Sequence, residues 1–198
     1  MLVLVCWGLV LPSPIRIQCD SEFQTCDKIT NTVKHEAKEL KDEYKKSHKL
    51  PDESVPVPDE VPSSTVIGST ISEKLQDIYT KNELFRLHLL KVKTYQKELL
   101  DKPDHLLHLL SNITIRLDHH LATIKKVLRC TDPHRPFPTS PPALKPEHKN
   151  DYQKKMYGWG VLVRLDEWSK EVLKVLKRKK SEWCVMKWFL LICGYWSH

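Results

Sequence analysis

The stretch ELLDKPDHLL (residues 98–107) joins two amphipathic segments with little more than Lys102-Pro103 between them. A connection this short forces neighbouring helices to run antiparallel, because the chain has no length for any other path. Working outward from it, spacings of three and four between apolar residues predict four helices. They lie near 27–49, 71–101, 104–130 and 148–180.

The two outer connections are long. About twenty residues (Leu50–Ser69) join the first pair of helices, and about seventeen (Thr131–Glu147) join the last pair. Twenty residues can span up to ~65 Å at ~3.3 Å each, so both connections can cross a whole bundle. The order long, short, long predicts an all-α, long-chain four-helix bundle, up-up-down-down, with two long crossover loops.

The third helix has the clearest apolar stripe. Its members recur in steps of three and four: Leu106, Leu110, Ile113, Leu117, Leu121, Ile124 and Leu128. Such a stripe is buried against other helices while the remaining faces stay in water. No segment shows the alternation of a half-buried strand.

Composition limits the classes of function. The 198 residues suit one domain, and the five glycines form no phosphate-binding pattern such as GxGxxG. The net charge of +7 favours acidic partners, which are polyanionic glycans outside the cell or nucleic acid inside it.

The N-terminal residues indicate secretion. Met1–Leu11 form an apolar run too short to cross a bilayer, so residues 1–18 are predicted to be a signal peptide and residues 19–182 the helical domain. Asn112-Ile113-Thr114 is then a glycosylation sequon on Asn112. The apolar tail 183–198 stays open between a mis-assigned terminal exon, packing against the bundle and a glycolipid-anchor signal.

The cysteines suggest a disulfide at one end of the bundle. In the predicted topology, the start of the first helix and the ends of the third and fourth share one end, which brings Cys19, Cys26, Cys130 and Cys184 near each other. The favoured partner of Cys130 is Cys19 or Cys26. No Cys/His spacing suggests zinc.

The third helix also carries several histidines. His105, His108, His119 and His120 include spacings that can chelate a metal, but they fall beside or opposite the apolar stripe, which favours exposed polar surface. No nucleophile with a positioned histidine and carboxylate can be identified. We therefore expect no enzyme activity, no metal and no cofactor.

The start of the fourth helix has the composition of a binding site. Tyr152, Lys155 and Trp159 stand on successive turns, and an aromatic residue beside a cation is typical of an interface hot spot, although plain surface is the alternative. The basic run Lys174–Lys180 ends the same helix. Its cations complement the helix dipole, or they form a patch for an acidic glycan such as heparan sulfate.

The sequence from Tyr152 to Trp168 (YQKKMYGWGVLVRLDEW) resembles the fourth helix of the interleukin-6 family. The likeness is nearest to the branch of ciliary neurotrophic factor, cardiotrophin-like cytokine and leukaemia inhibitory factor. In that branch an aromatic-x-x-Lys motif docks the leukaemia inhibitory factor receptor, and here it falls on Tyr152 and Lys155. The family has Phe at the first place. Cys19, Cys26 and Cys130 resemble the leukaemia inhibitory factor pattern that ties the N-terminus to the end of the third helix.

The resemblance implies a secreted, neurotrophic-type cytokine that bridges receptor chains and signals through Janus kinases and STAT factors. Its partners would be the leukaemia inhibitory factor receptor, the family's shared signal-transducing receptor and, in some complexes, a non-signalling alpha receptor. The shared receptor would meet exposed faces of the first and third helices, with Arg116 and His120 as candidate contacts. The rival is an intracellular helical adaptor or a basic nucleic-acid-binding bundle, which explains the charge but not the cysteines, sequon and apolar start.

Overall fold

The computed structural model describes the backbone of residues 14–50, 57–101, 104–142, 144 and 148–195, with side chains described between 19 and 177. Four helices follow in order: α1 (Pro14–His48), α2 (Ile71–Leu99), α3 (Asp104–Thr131) and α4 (Asp151–Tyr195). The described residues contain no strand. The prediction of an all-α, four-helix chain is confirmed.

Two helices are longer than predicted. α1 begins at Pro14 rather than near residue 27, because proline suits the first position of a helix, where its missing N–H is not needed. α4 runs to Tyr195 rather than ending near 180, since residues 161–193 contain neither Gly nor Pro to stop it. The predicted signal peptide and apolar tail lie mostly outside the described residues or side chains, so both stay predictions.

The helices bury their apolar stripes in one core. Among the residues whose side chains are described, Trp168 is the largest that is fully buried, and its ring lies 5.2 Å from the ring of Phe85, centroid to centroid. The predicted stripe of α3 is buried except for Leu121, which is partly buried and packs against the same core. Burial of each such side chain contributes about 1.5–3 kcal/mol, so packing rather than helix propensity holds the helices together.

Each helix packs most closely against two others. The backbones of α1 and α2 each lie close to both α3 and α4. Within the described residues, α1 meets α2, and α3 meets α4, through side chains and not through close backbone approach. A disulfide joins Cys19 near the start of α1 to Cys130 near the end of α3. Further along α1, Lys41 forms an ion pair with Asp166 of α4.

α2 is tied to α3 and α4 by polar contacts along its length. Towards α3, Arg86 Nε lies 2.6 Å from Asp118 Oδ1, and Lys93 Nζ donates to Ser111 Oγ at 2.8 Å. Towards α4, Lys154 Nζ donates to Glu98 Oε2 at 2.7 Å. These pairs therefore join α2 to its neighbours at several positions along its axis.

The long connections pack on the helices. In the first connection, Arg164 of α4 donates to Ser64 Oγ at 3.4 Å, and a capping box of Thr70 and Glu73 then starts α2. The second connection contacts α2 at successive points from near its beginning to near its end. The contacting pairs are Arg135–Glu73, Pro136–Gln76, Ser140–Glu83 and His148–Tyr95.

Candidate functional site

The first turn of α4 is fixed by local hydrogen bonds. The Gln153 backbone N–H donates to Asn150 Oδ1 at 2.8 Å, and the Lys149 N–H donates to Gln153 Oε1 at 3.1 Å. Asn150 thereby satisfies one of the N–H groups that every helix start leaves unpaired. Asp151 adds a negative charge in the first turn, where the helix dipole favours it. The turn that carries Tyr152 is therefore well defined.

The three predicted residues of α4 differ in exposure. Tyr152 is 70% exposed, the highest value among the exposed large hydrophobic side chains of the described residues. Lys155 is half-buried, and Trp159 is half-buried and packs against the core. Tyr152 and Lys155 are three positions apart and so are neighbours on the helix surface. Trp159 instead helps to hold the helix in place.

A chain of hydrogen bonds supports the backbone beneath Lys155. Its carbonyl oxygen accepts from the Tyr44 hydroxyl at 3.0 Å, and Gln96 Nε2 donates to that hydroxyl at 3.3 Å. Gln96 Oε1 lies 2.5 Å from His48 Nε2, so Nε2 carries the proton. Burial lowers the pKa of His48, which keeps this ring neutral. Residues of α1 and α2 thus set the position of the α4 start.

Two glycines allow close packing at the same place. A Cβ on Gly158 would overlap the hydroxyl of Tyr44 and lie 2.8 Å from its Cζ, and a Cβ on Gly160 would lie 2.7 Å from Pro58 Cδ. Real side-chain atoms do not approach this closely. The Gly-Trp-Gly sequence is therefore a packing requirement that brings α1 and the first connection onto α4.

An aromatic and histidine cluster lies beside this region. Tyr157 is fully buried, and its hydroxyl lies 2.6 Å from His88 Nδ1. Burial lowers the pKa of His88 to about 4, so the ring that pairs with this hydroxyl is neutral. The Tyr157 ring lies 4.4 Å from that of His148 and meets that of Tyr95 edge-on at 6.0 Å.

His148 joins the two long connections. Its Nε2 lies 2.8 Å from Glu60 Oε1 of the first connection, and its Nδ1 lies 2.9 Å from the Tyr95 hydroxyl of α2. A carboxylate can only accept, so Nε2 donates to Glu60, while Nδ1 pairs with the Tyr95 hydroxyl. Neither His148 nor its partners could be predicted from the sequence, because a histidine in a loop gives no local signal of a partner 88 positions away.

Arg116 and His120 lie in α3, apart from the α4 residues. Arg116 donates through Nε and Nη2 to Glu36 Oε1 of α1, at 3.1 and 3.0 Å, and its side chain is 36% exposed. His120 is completely buried, so the expectation that it lies on an exposed receptor-facing surface is wrong. The neighbouring His105, His108 and His119 are exposed, as predicted.

His120 is buried because other helices supply its hydrogen bonds. Asn82 Nδ2 lies 3.2 Å from its Nδ1, and Thr30 Oγ1 lies 2.9 Å from its Nε2. The ring of Trp168 meets it edge-on at 5.9 Å. Because the Asn82 amide nitrogen can only donate, Nδ1 of His120 accepts and its Nε2 donates to Thr30 Oγ1. The Thr30 hydroxyl in turn donates a hydrogen bond to the Cys26 carbonyl at 2.7 Å. Burial lowers the pKa of His120 to about 3.

The disulfide settles which cysteine pairs with Cys130. Cys19 is the partner, with 5.5 Å between the Cα atoms, and Cys26 is a free, buried thiol. Burial raises the pKa of Cys26 to about 12, so it is unreactive in the folded chain. The side chains of Cys184 and Cys193 lie outside the described residues. Asn112 of the sequon is exposed on α3.

Three further features concern metal ligands, membrane spans and the basic run of α4. No three His, Cys, Asp or Glu side chains of the described residues are grouped closely enough to hold a metal ion. In the same part of the chain, no helix has the length and apolar character needed to cross a membrane. In the basic run, Lys174 pairs with Glu171 at 2.6 Å and Lys177 is exposed, while the side chains of 178–180 lie outside the description.

Neither a family model nor a curated protein matches this chain.

Proposed function

We propose that this chain is a secreted four-helix cytokine of the interleukin-6 kind, without catalytic activity. It would act by holding cell-surface receptor chains together, so that kinases on their cytoplasmic parts meet and signal through Janus kinases and STAT factors. The observation that carries the proposal is the start of α4: an exposed aromatic residue, Tyr152, beside Lys155 on a turn braced by α1 and α2.

Part of this proposal is an up-up-down-down bundle with two crossover loops. The contacts between α1 and α3 support it, because Cys19 pairs with Cys130 while Glu36 pairs with Arg116, so one helix ascends as the other descends. The contacts of α2 with α3 and α4 have the same sense. α1 and α2 then point the same way, and the connection 132–150, which contacts α2 from Glu73 to Tyr95, would carry the chain back along the bundle.

The tip of α4 is the proposed site for the leukaemia inhibitory factor receptor. An interface hot spot is usually a rigid aromatic or cationic side chain whose free form is already in place, because little conformational entropy is then lost on binding. The backbone that carries Tyr152 is already in place: its turn is capped by Asn150, and the carbonyl of Lys155 is held by Tyr44. Trp159 contributes from within by packing against the core.

The shared signal-transducing receptor is proposed to meet the face formed by α1 and α3. Ile115 is 55% exposed on the outer side of α3, and the adjacent Arg116 is held by Glu36 of α1. An exposed apolar side chain can be buried by a binding partner, and a fixed ion pair next to it can orient that partner through polar contacts. A non-signalling alpha receptor would need a further surface, for which no single residue stands out.

Secretion and receptor capture test the proposal together. The chain is expressed in secretory cells, and the medium is tested for glycosidase-sensitive protein that is retained by immobilised ectodomains of the two receptors. An unrelated receptor ectodomain is the matched control and is expected to retain none. Protein that stays in the cytosol with reduced Cys19 and Cys130 would support the intracellular adaptor or nucleic-acid-binding bundle instead.

A further inference from the structure

Two cations near the end of α3 lie over a pair of aromatic rings. Lys125 Nζ stands 5.5 Å from the ring centroid of Tyr79 on α2, and Arg129 Cζ stands 5.3 Å from that of Phe137 on the second connection. The two rings are 6.2 Å apart, so they form one continuous support. Lys125 and Arg129 are one helical turn apart and both are exposed.

The charges of these two side chains are not neutralised by an ion pair. In the described part of the chain, neither Lys125 nor Arg129 lies within ion-pair distance of a carboxylate, whereas most neighbouring cations do: Lys126 is 3.9 Å from Glu22, and Arg135 is 3.8 Å from Glu73. An aromatic face attracts a cation without cancelling its charge, so both groups remain available to an anion.

The surrounding segment is strongly basic. Residues 125–135 hold four Lys or Arg residues and one acid, Asp132, with His134 in addition. Asp132 accepts a hydrogen bond from the Ser72 hydroxyl of α2. Glu83 of α2 accepts one from the Tyr79 hydroxyl at 3.4 Å. Among the described residues, neither carboxylate forms an ion pair with Lys125 or Arg129, so no direct partner cancels the charges of these two cations.

From this arrangement we propose that Lys125 and Arg129 bind a sulfated glycosaminoglycan of the heparan sulfate type. The inference rests on the proposed secretion of the chain, since such glycans are extracellular. It places the glycan contact on α3 and the second connection rather than on the basic run that ends α4. Sulfate groups repeat along such a chain, so two fixed cations one turn apart can each take one.

Two other anionic partners fit the surface less well. Binding of single-stranded nucleic acid uses free aromatic faces for base stacking, but here Lys125 and Arg129 cover Tyr79 and Phe137, and Tyr79 is buried. A membrane surface needs apolar side chains that enter the lipid. The exposed large hydrophobic residues of the described chain are Ile67, Leu90, Ile115 and Tyr152, none of which belongs to this cluster.

The test measures binding of the secreted full chain to a heparin octasaccharide over a range of salt concentrations. Lys125→Gln with Arg129→Gln is expected to lower the slope of log Kd against log salt by about two, one for each lost contact. The control, Lys28→Gln with Lys38→Gln, removes the same charge from exposed positions of α1 and is expected to change the slope little. Matching thermal unfolding midpoints would show that each variant is folded.

Three outcomes would overturn the proposal. Equal losses in both double variants would mean that only the total charge matters. Unchanged binding in Lys125→Gln with Arg129→Gln would move the site elsewhere, and an oligonucleotide of equal charge that binds as tightly at the same residues would replace the glycan by nucleic acid. Capture by the leukaemia inhibitory factor receptor, whose proposed site is the start of α4, is expected to be normal in both variants. A chain that binds heparin but not this receptor would refute the proposed function alone.

Discussion

The hydroxyl of Tyr44 occupies the space that a side chain on Gly158 would need. From there it donates to the carbonyl oxygen of Lys155 at 3.0 Å and accepts from Gln96. Helix α1 therefore reaches the backbone of α4 directly, and the start of α4, including Tyr152, takes its position from this contact.

Gly158→Ala is expected to destabilise the chain, although Ala favours helix over Gly by about 1 kcal/mol. The new methyl group must displace Tyr44, and overpacking of this kind costs about 1–3 kcal/mol. Urea unfolding measures the change. The comparison is Gly158→Ala in a Tyr44→Ala background, where the space is open and the same substitution should be neutral or stabilising. A stabilising effect in both backgrounds would contradict the described contact.

Stability is expected to fall as the pH drops from 7.5 to 5.5. His88 and His120 have pKa values lowered to about 4 and about 3 by burial, so both stay neutral when folded, whereas the unfolded chain takes up protons below the ordinary value of 6.5. Their contribution is almost complete at pH 7.5 and falls as the pH drops through 6.5, and at pH 5.5 each has lost about 1.4 kcal/mol. Urea midpoints at the two pH values measure it.

His120→Gln is the variant that tests this origin. Glutamine does not titrate, so the variant should be less stable at pH 7.5 but lose less further stability on acidification than the unaltered chain. His119→Gln, at an exposed position on the same helix, is the control and should keep the full pH dependence. An undiminished pH dependence in His120→Gln would assign the effect to other groups.

The choice between Cys19 and Cys26 as the partner of Cys130 can be tested by substitution. Cys19→Ser should lower the free energy of unfolding by about 2–5 kcal/mol, because the disulfide closes a loop across 111 positions. Cys26→Ser keeps the disulfide and should show a smaller loss from placing a hydroxyl in an apolar site. Peptide mapping of the non-reduced protein would contradict the description if it linked Cys26 to Cys130.

Tyr152→Ala with Lys155→Ala should leave the unfolding midpoint nearly unchanged, because Tyr152 is exposed and the Lys155 contact to Tyr44 uses backbone. Binding to the leukaemia inhibitory factor receptor should fall by at least ten-fold, since truncation of a hot spot costs about 2 kcal/mol or more. Surface plasmon resonance measures it. Tyr152→Phe is the matched control that keeps the aromatic ring, and wild-type affinity in the double Ala variant would remove the site.

The sequence predicted what depends on local periodicity and missed what depends on distant partners. The α3 stripe from Leu106 to Leu128 follows helical spacing, and its burial was predictable. His120 lies beside that stripe, yet its burial depends on Thr30 and Asn82, which are 90 and 38 positions away. Cys19 and Cys26 lie about two turns apart near one end of α1, so only the three-dimensional structure shows which of them pairs with Cys130.

Part of the candidate site was also readable from the sequence. The exposure of Tyr152 followed from its place before the apolar residues of α4, but the fixed position of that turn depends on Tyr44 and Gln96 from other helices. The role of Gly158 is likewise invisible until Tyr44 is placed against it. The family resemblance includes both glycines of this segment, but the reason for them is the close packing of Tyr44 and Pro58 against α4.

The hydrogen bonds that converge on His120 also fix the vertical alignment of the helices. If α1 or α2 slid along its axis by one turn, about 5.4 Å, Thr30 or Asn82 would move out of hydrogen-bonding distance. One buried nitrogen of the imidazole would then have no hydrogen-bond partner. Each stranded polar group costs about 1–3 kcal/mol, whereas leucines can interdigitate in many shifted arrangements at small cost. The apolar stripes hold the helices together, and the hydrogen bonds of His120 favour one axial alignment of these helices over the shifted ones.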